Sequence, residues 1–179
     1  MTRFSISLKA GLASLMALMA AWVVPAFAVC LNNLASEAPD SRFEVNGATV
    51  TDTYTGLIWL RCPLGKLWSE EQAFCAANFA VPVTYTWDNA LLAANGYQVE
   101  GYSDWRLPNK NELSSIVDRS CSGPATNNSV FKGTVNGGYW TSTPWLREGG
   151  KAWHLDFITG TLISRETEAL FGVYLVRSN

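Results

Sequence analysis

Histidine is almost missing from this chain: His154 is the only one in 179 residues. That excludes an HExxH zinc site and leaves little room for a histidine-based nucleophile triad. No phosphate-cradling GxxxxGK[ST] or GxGxxG loop occurs, no DxDxDG calcium loop, and no CxxC pair of the kind zinc ribbons use. No metal and no other cofactor is expected. Basic residues are scarce as well. Setting aside Arg3 and Lys9, 11 basic side chains face 15 acidic ones, a net charge of −4. Nucleic-acid binders show a basic stripe, and none is present, so nucleic acid is not an expected partner.

The first residues hold what the rest lacks, a long apolar run. Arg3 and Lys9 precede an uncharged stretch over residues 10–24, rich in Ala, Leu and Met, which Pro25 breaks before Ala26-Phe27-Ala28. A charged start, a short apolar run and a small-x-small site are the parts of a secretory signal peptide. The run is short for a bilayer span of about 20 residues. Residues 1–28 are therefore expected to be cleaved off, with Val29 as the new N-terminus. Branched Val29 before Cys30 argues against a lipid anchor. The expected mature protein is exported, to the periplasm or the exterior, with no membrane insertion after cleavage. Its residues divide into an N-terminal extension with a first hairpin (29–50) and a main domain (51–179), together large enough for one core.

All four cysteines, Cys30, Cys62, Cys75 and Cys121, lie in the exported part. An even count in an oxidising compartment reads as two disulfides. Three pairings are possible. Cys62–Cys75 closes a short local loop, which leaves Cys30 to tie the N-terminus to Cys121.

Strand signals open the domain. Apolar and polar residues alternate over Arg42-Phe43-Glu44-Val45, Asn46-Gly47 marks a turn, and Ala48-Thr49-Val50-Thr51 returns as partner. Leu57-Ile58-Trp59-Leu60 reads as a buried strand. Ser69-Glu70-Glu71-Gln72 has capping-box form and predicts a short helix to about Ala77. Thr86 caps a second helix with Trp87, Ala90, Leu91 and Ala94 on one face, stopped by Gly96. Asn109 with Glu112 caps a third, carrying Leu113, Ile116 and Val117. Tyr139–Thr143, Ala152–Phe157, Thr161–Ser164 and Val173–Arg177 then read as strands. The expected fold class is α+β, with antiparallel strands at both chain ends and two main helices between them.

Catalytic carboxylates are sought among Asp104, Glu112, Asp118 and Asp156, but nothing orders them as a glycosidase pair and no enzyme is expected. Seven of the eight tryptophans lie in the mature part. Trp59, Trp87 and Trp105 are assigned to the core. Trp145 differs, because it follows Pro144 and opens the charged, glycine-bearing stretch Leu146-Arg147-Glu148-Gly149-Gly150-Lys151. Tryptophan and arginine on loops anchor binding surfaces, and indole faces stack on the apolar faces of sugars. Trp145, Arg147 and Lys151 are therefore the candidate ligand-binding residues, with Asn127 and Asn128 on the irregular stretch 124–138 as the second choice.

Gly101-Tyr102-Ser103-Asp104-Trp105-Arg106-Leu107-Pro108-Asn109-Lys110-Asn111-Glu112-Leu113 resembles the motif of a bacterial family, the Lcl C-terminal domain. Thr51-Asp52-Thr53-Tyr54-Thr55-Gly56-Leu57-Ile58-Trp59 upstream and Tyr139-Trp140-Thr141-Ser142-Thr143 downstream agree in order. The resemblance implies a compact C-type-lectin-like scaffold whose loops take a glycan or a surface protein, as in an adhesin, and an oligomer is possible. The chain has no Gly-X-Y stalk and none of the EPN, QPD or WND motifs of calcium-dependent lectins. Within the motif, Asp104, Trp105, Arg106, Pro108 and Glu112 are read as fold-specifying: Trp105 fills core, Arg106 meets a carboxylate such as Asp104 or satisfies carbonyls, and Pro108 with Asn109 starts a helix capped through Glu112.

Overall fold

The alternation at residues 42–51 folds as a hairpin, one residue out of the expected phase. In the computed structural model, which describes residues 29–31, 33–78 and 83–178, β2 (Phe43–Asn46) pairs β3 (Thr49–Asp52) with Asn46 opposite Thr49. The two-residue loop is thus Gly47-Ala48. Gly47 has φ +56°, the positive value a type II′ turn needs at its first central position. The leader expected at residues 1–28 lies outside the described residues.

Strand β4 (Leu57–Leu60) joins β3, and β11 (Val176–Ser178) joins β4, giving an antiparallel sheet in the order β11-β4-β3-β2. The two ends of the domain do meet in one sheet. Period-two geometry explains the all-apolar run in β4, since successive side chains point to opposite faces. Leu57 and Trp59 face a cluster with Val50, Phe131, Tyr139 and Tyr174, whereas Ile58 and Leu60 face a second one with Trp105, Trp140 and Leu175. In the first, Phe131 stands edge-on to Phe43, Trp59 and Tyr174 at centroid distances of 5.5, 6.3 and 5.8 Å. Such aromatic pairs add to burial about 0.5–1.5 kcal/mol each.

A second sheet, β10-β9-β8, is formed by β8 (Gly138–Pro144), β9 (Lys151–Asp156) and β10 (Thr161–Glu166). Two small pairs complete the strands: β1 (Val29–Cys30) with β7 (Cys121–Ser122), and β5 (Lys66–Ser69) with β6 (Phe74–Ala77). Disulfides Cys30–Cys121 and Cys62–Cys75 fasten them, the pairing preferred from the cysteine spacing.

The expected α+β class with two main helices is corrected. Among the described residues the chain is mostly β, in several small sheets. Helix α1 (Trp87–Ala94) has eight residues and α2 (Lys110–Ser115) six. The helices stand where expected, α2 with its Asn109 cap formed and α1 with no side-chain bond from Thr86, but about two turns each cannot make a layer of their own. The helix expected from Ser69-Glu70-Glu71-Gln72 is also absent. That segment is the loop of the β5–β6 hairpin, with Ser69 opposite Phe74. Cys62–Cys75 and the Arg61 guanidinium, 3.8 Å from the Trp68 ring centroid, hold the hairpin to the body.

Two of the segments that carry the resemblance have structural explanations. Buried Asp52 accepts from Arg42 Nε at 2.7 Å and from Arg42 Nη2, and also from Tyr54 N at 3.0 Å and Thr55 Oγ1 at 2.7 Å. One carboxylate thereby shapes the turn into β4 and satisfies a buried guanidinium. Trp105 is 1% exposed, and the backbone of Arg106 bridges that of Val176 with N–H···O distances of 2.9 and 3.0 Å.

Candidate functional site

Strands β8 and β9 run antiparallel until Trp140, then lose register before Pro144 pairs Ala152. The irregularity swings residues 144–151 out as a hairpin tip, closed where Trp145 N donates to Lys151 O at 2.9 Å. Leu146 at the tip is 90% exposed. Trp145 is partly buried against Trp153 of β9, edge to face, with ring centroids 4.7 Å apart. Arg147 lies over Trp145 at 5.6 Å, and Lys110, the first residue of α2, reaches over Trp153 at 5.0 Å. Lys110 is positioned from β8, because its N–H donates to Thr143 Oγ1 at 3.1 Å. Two indoles and two cations thus form one partly exposed platform built from β8, β9 and α2.

Lys151 has a different use. Its ammonium donates to Glu148 at 2.6 Å and lies 3.4 Å from Glu166, and the bond to Glu148 raises its pKa. It ties the loop to β10.

Beside the platform is an open cleft of about 410 Å³, lined by Leu91, Ala94 and Asn95 of α1 and its cap, by Arg106, Leu107, Asn109 and Glu112, and by Ser142 of β8. The capping box read from Asn109 and Glu112 is formed. Asn109 Oδ1 accepts from the N–H groups of Asn111 and Glu112 at 2.9 Å each, and Glu112 Oε2 accepts from Asn109 N at 2.7 Å. Arg106 donates to both Glu112 oxygens at 2.8 Å. That bidentate bond lowers the Glu112 pKa and raises that of Arg106. Arg106 thus meets a carboxylate, but not Asp104, which accepts from Arg177 Nε at 2.8 Å, and Arg177 covers Tyr102.

Asn127 and Asn128 are not brought to the platform. Asn127 is buried, its Nδ2 donating to Ala38 O at 2.9 Å and Asp40 Oδ1 at 2.6 Å, while its Oδ1 accepts from Ser129 N and Val130 N at 3.0 and 3.2 Å. Its amide is spent inside the fold. Asn128 is exposed, on the wall of a separate cleft of about 520 Å³ lined also by Leu34, Ser36, Pro39 and Asp40. Asp118 on that wall accepts from Ser36 Oγ, Glu37 N and both Ser120 groups, and these bonds outweigh its burial to leave its pKa lowered.

His154 is buried under Gly138, where a Cβ would come within 2.5 Å of both His154 and Phe171. The imidazole stacks on Phe171 at 4.2 Å, its Nδ1 has no partner, and burial lowers its pKa. Its place in β9 is an inward one. Among the described residues no group of three or more His, Cys, Asp or Glu is placed to hold a metal, and no helix is long and apolar enough to cross a membrane.

Sequence reasoning missed Trp153 and Lys110. The alternation of β9 could have found Trp153, since it puts that ring on the face opposite His154 and across the hairpin from Trp145. Lys110 had no such signal, because its approach depends on how α2 packs against β9.

Comparison with known proteins adds one firm result. No curated protein matches the chain. The profile of the Lcl C-terminal domain matches residues 48–177, well over half of the length, and takes in β3, the Trp105 motif, the platform and β11. On that match the chain belongs to the Lcl C-terminal domain family.

Proposed function

We propose that this chain is an exported, non-catalytic binding module that takes a carbohydrate or another surface ligand on the platform of Trp145, Trp153, Arg147 and Lys110. The observation that carries the reading is the pair of partly exposed indoles at a hairpin tip, each with a cation at its face. Aromatic faces suit the apolar faces of sugars, and the two cations and their free N–H groups suit hydroxyl or anionic substituents. The implied similarity of the family to C-type-lectin-like domains, whose loops take ligands, supports the same reading. Export rests on the leader features of residues 1–28, and two disulfides suggest a periplasmic or extracellular setting.

Non-catalytic binding is supported by how the carboxylates are used. Asp104 is paired with Arg177, Glu112 with Arg106, and Asp118 is saturated by donors. A second reading, a protein-interaction subunit of the envelope, is favoured by Leu146, an apolar side chain standing free at the tip.

A glycan array probed with the exported protein, followed by titration of each hit, tests the proposal. Trp145→Ala should weaken any hit by about 2 kcal/mol or more, the scale of an interface hot spot. A hit unaffected by Trp145→Ala and Arg147→Ala removes the platform as the site. An array without hits, beside capture of an envelope protein that Leu146→Ala abolishes, replaces the carbohydrate reading with the second one.

A further inference from the structure

The cleft beside the platform holds polar groups that the fold itself leaves unused. Asn95 and Ser142 line it, and neither side chain makes a hydrogen bond to any of the described residues. Asn109 spends its Oδ1 on two backbone donors, so its Nδ2 remains to donate. Glu112 Oε1 accepts only from Arg106 and keeps a lone pair. The floor is apolar: Leu91, Ala94 and Leu107.

Charge decides what such a cleft takes. The Arg106 guanidinium already meets Glu112 through two parallel bonds, so the pair is locally neutral and its charge gives a second anion little attraction. An amide with both donor and acceptor, a hydroxyl, a second amide donor and a carboxylate acceptor converge over an aliphatic floor. That set matches a ring that carries several hydroxyls, each able to donate and accept, around a C–H face. The volume of about 410 Å³ falls in the usual range of ligand clefts, about 300–1,000 Å³.

Platform and cleft also share a wall. Asn109 is followed by Lys110, which covers Trp153, and Ser142 by Thr143, which holds the Lys110 N–H. We infer that the Arg106–Glu112 cleft is a second subsite, for a neutral polyhydroxylated ring, contiguous with the Trp145–Trp153 platform. The motif read as fold-specifying then has two uses: Trp105 and Pro108 build the fold, and Arg106, Asn109 and Glu112 present a sugar-facing surface. The inference rests on the carbohydrate reading of the platform.

The test uses the full chain, expressed with its own leader and recovered from the exported fraction. The probes are methyl glycosides of glucose, galactose and N-acetylglucosamine, their β-linked disaccharides, and glucuronic acid as an anionic control. Binding is followed by nuclear magnetic resonance at the asparagine side-chain amides and the indole N–H groups. A neutral sugar should shift the Asn95 and Asn109 amides. Asn95→Ala and Ser142→Ala should each weaken it about three- to tenfold, and neither should move the melting temperature. Sugars that shift only the Trp145 and Trp153 indoles, and bind both variants as they bind wild type, overturn the subsite and leave the platform standing. Binding that survives Trp145→Ala but fails in Asn95→Ala supports the cleft and removes the platform. Absence of any neutral-sugar shift at Asn95 and Asn109, or a preference for glucuronic acid there, overturns the inference.

Discussion

Residues 124–138 and residues 144–151 look alike as sequence, two irregular stretches punctuated by Gly, Pro and polar residues. Their side chains go opposite ways. In the first, Val130 and Phe131 are buried, Asn127 is saturated, and Lys66 and Arg61 reach in to bond the carbonyls of Gly133, Ser129 and Val130. In the second, Leu146 stands 90% exposed, and Trp145, with Arg147 over its ring, lies partly open against Trp153 of β9. The first stretch sets Val130, Phe131 and Asn127 into the interior without regular structure, and the second is surface hung from regular strands. Irregular backbone therefore says little about exposure. What separates the two is whether polar groups find partners within the chain.

The sharpest way to break that contrast is a matched pair of truncations. Phe131→Ala should cost about 3–5 kcal/mol in urea or thermal unfolding, as deletion of a buried aromatic does. Leu146→Ala should stay within about 0.5 kcal/mol. Equal effects would erase the distinction. Next in size, Asn127→Ala should cost about 2 kcal/mol, because it strands the buried Ala38 carbonyl and Val130 amide at once. It should also speed hydrogen exchange at the Ser129 and Val130 amides without changing exchange at Lys151. A smaller effect comes from His154, beneath the Gly138 end of the first stretch. Its pKa is lowered in the fold, mainly by burial, so the unfolded chain takes up the proton first as pH falls through the ordinary value of 6.5. Stability from this group is present above that value and lost as pH drops below it. Urea midpoints on either side of that value should show the slope, and His154→Phe should flatten it.

Local chemistry was legible in the sequence where the deciding partner lies nearby. Asn109 and Glu112 are three residues apart and formed their box, and the β2–β3 hairpin slipped by one residue because Gly47, not Asn46, holds the position that demands positive φ. Ser69-Glu70-Glu71-Gln72 misled because its own capping signal is weaker than the pairing of the strands on either side, with a disulfide anchoring the second. The helix signals at α1 and α2 were correct in place but not in weight. The candidate site was legible at Trp145 and Arg147. Trp153 was within reach of the β9 alternation, but Lys110 and Asn95 were not legible, since their approach depends on contacts across the chain, nor was the burial of Asn127, whose Nδ2 donates to residues 87 and 89 positions away.

Strand β11 has a consequence for the order of events during synthesis. Val176 is flanked on one side by Trp59 and on the other by Arg106, so residues made far apart in time complete the same ladder. Until residues 173–178 emerge, the Leu57–Leu60 strand is an apolar edge with unpaired amides, a template for neighbouring chains. Contacts of such sequence separation also slow folding. A chain stopped before residue 173 should be recovered as aggregate rather than as a weakened monomer, because the missing strand closes both layers of the core at once.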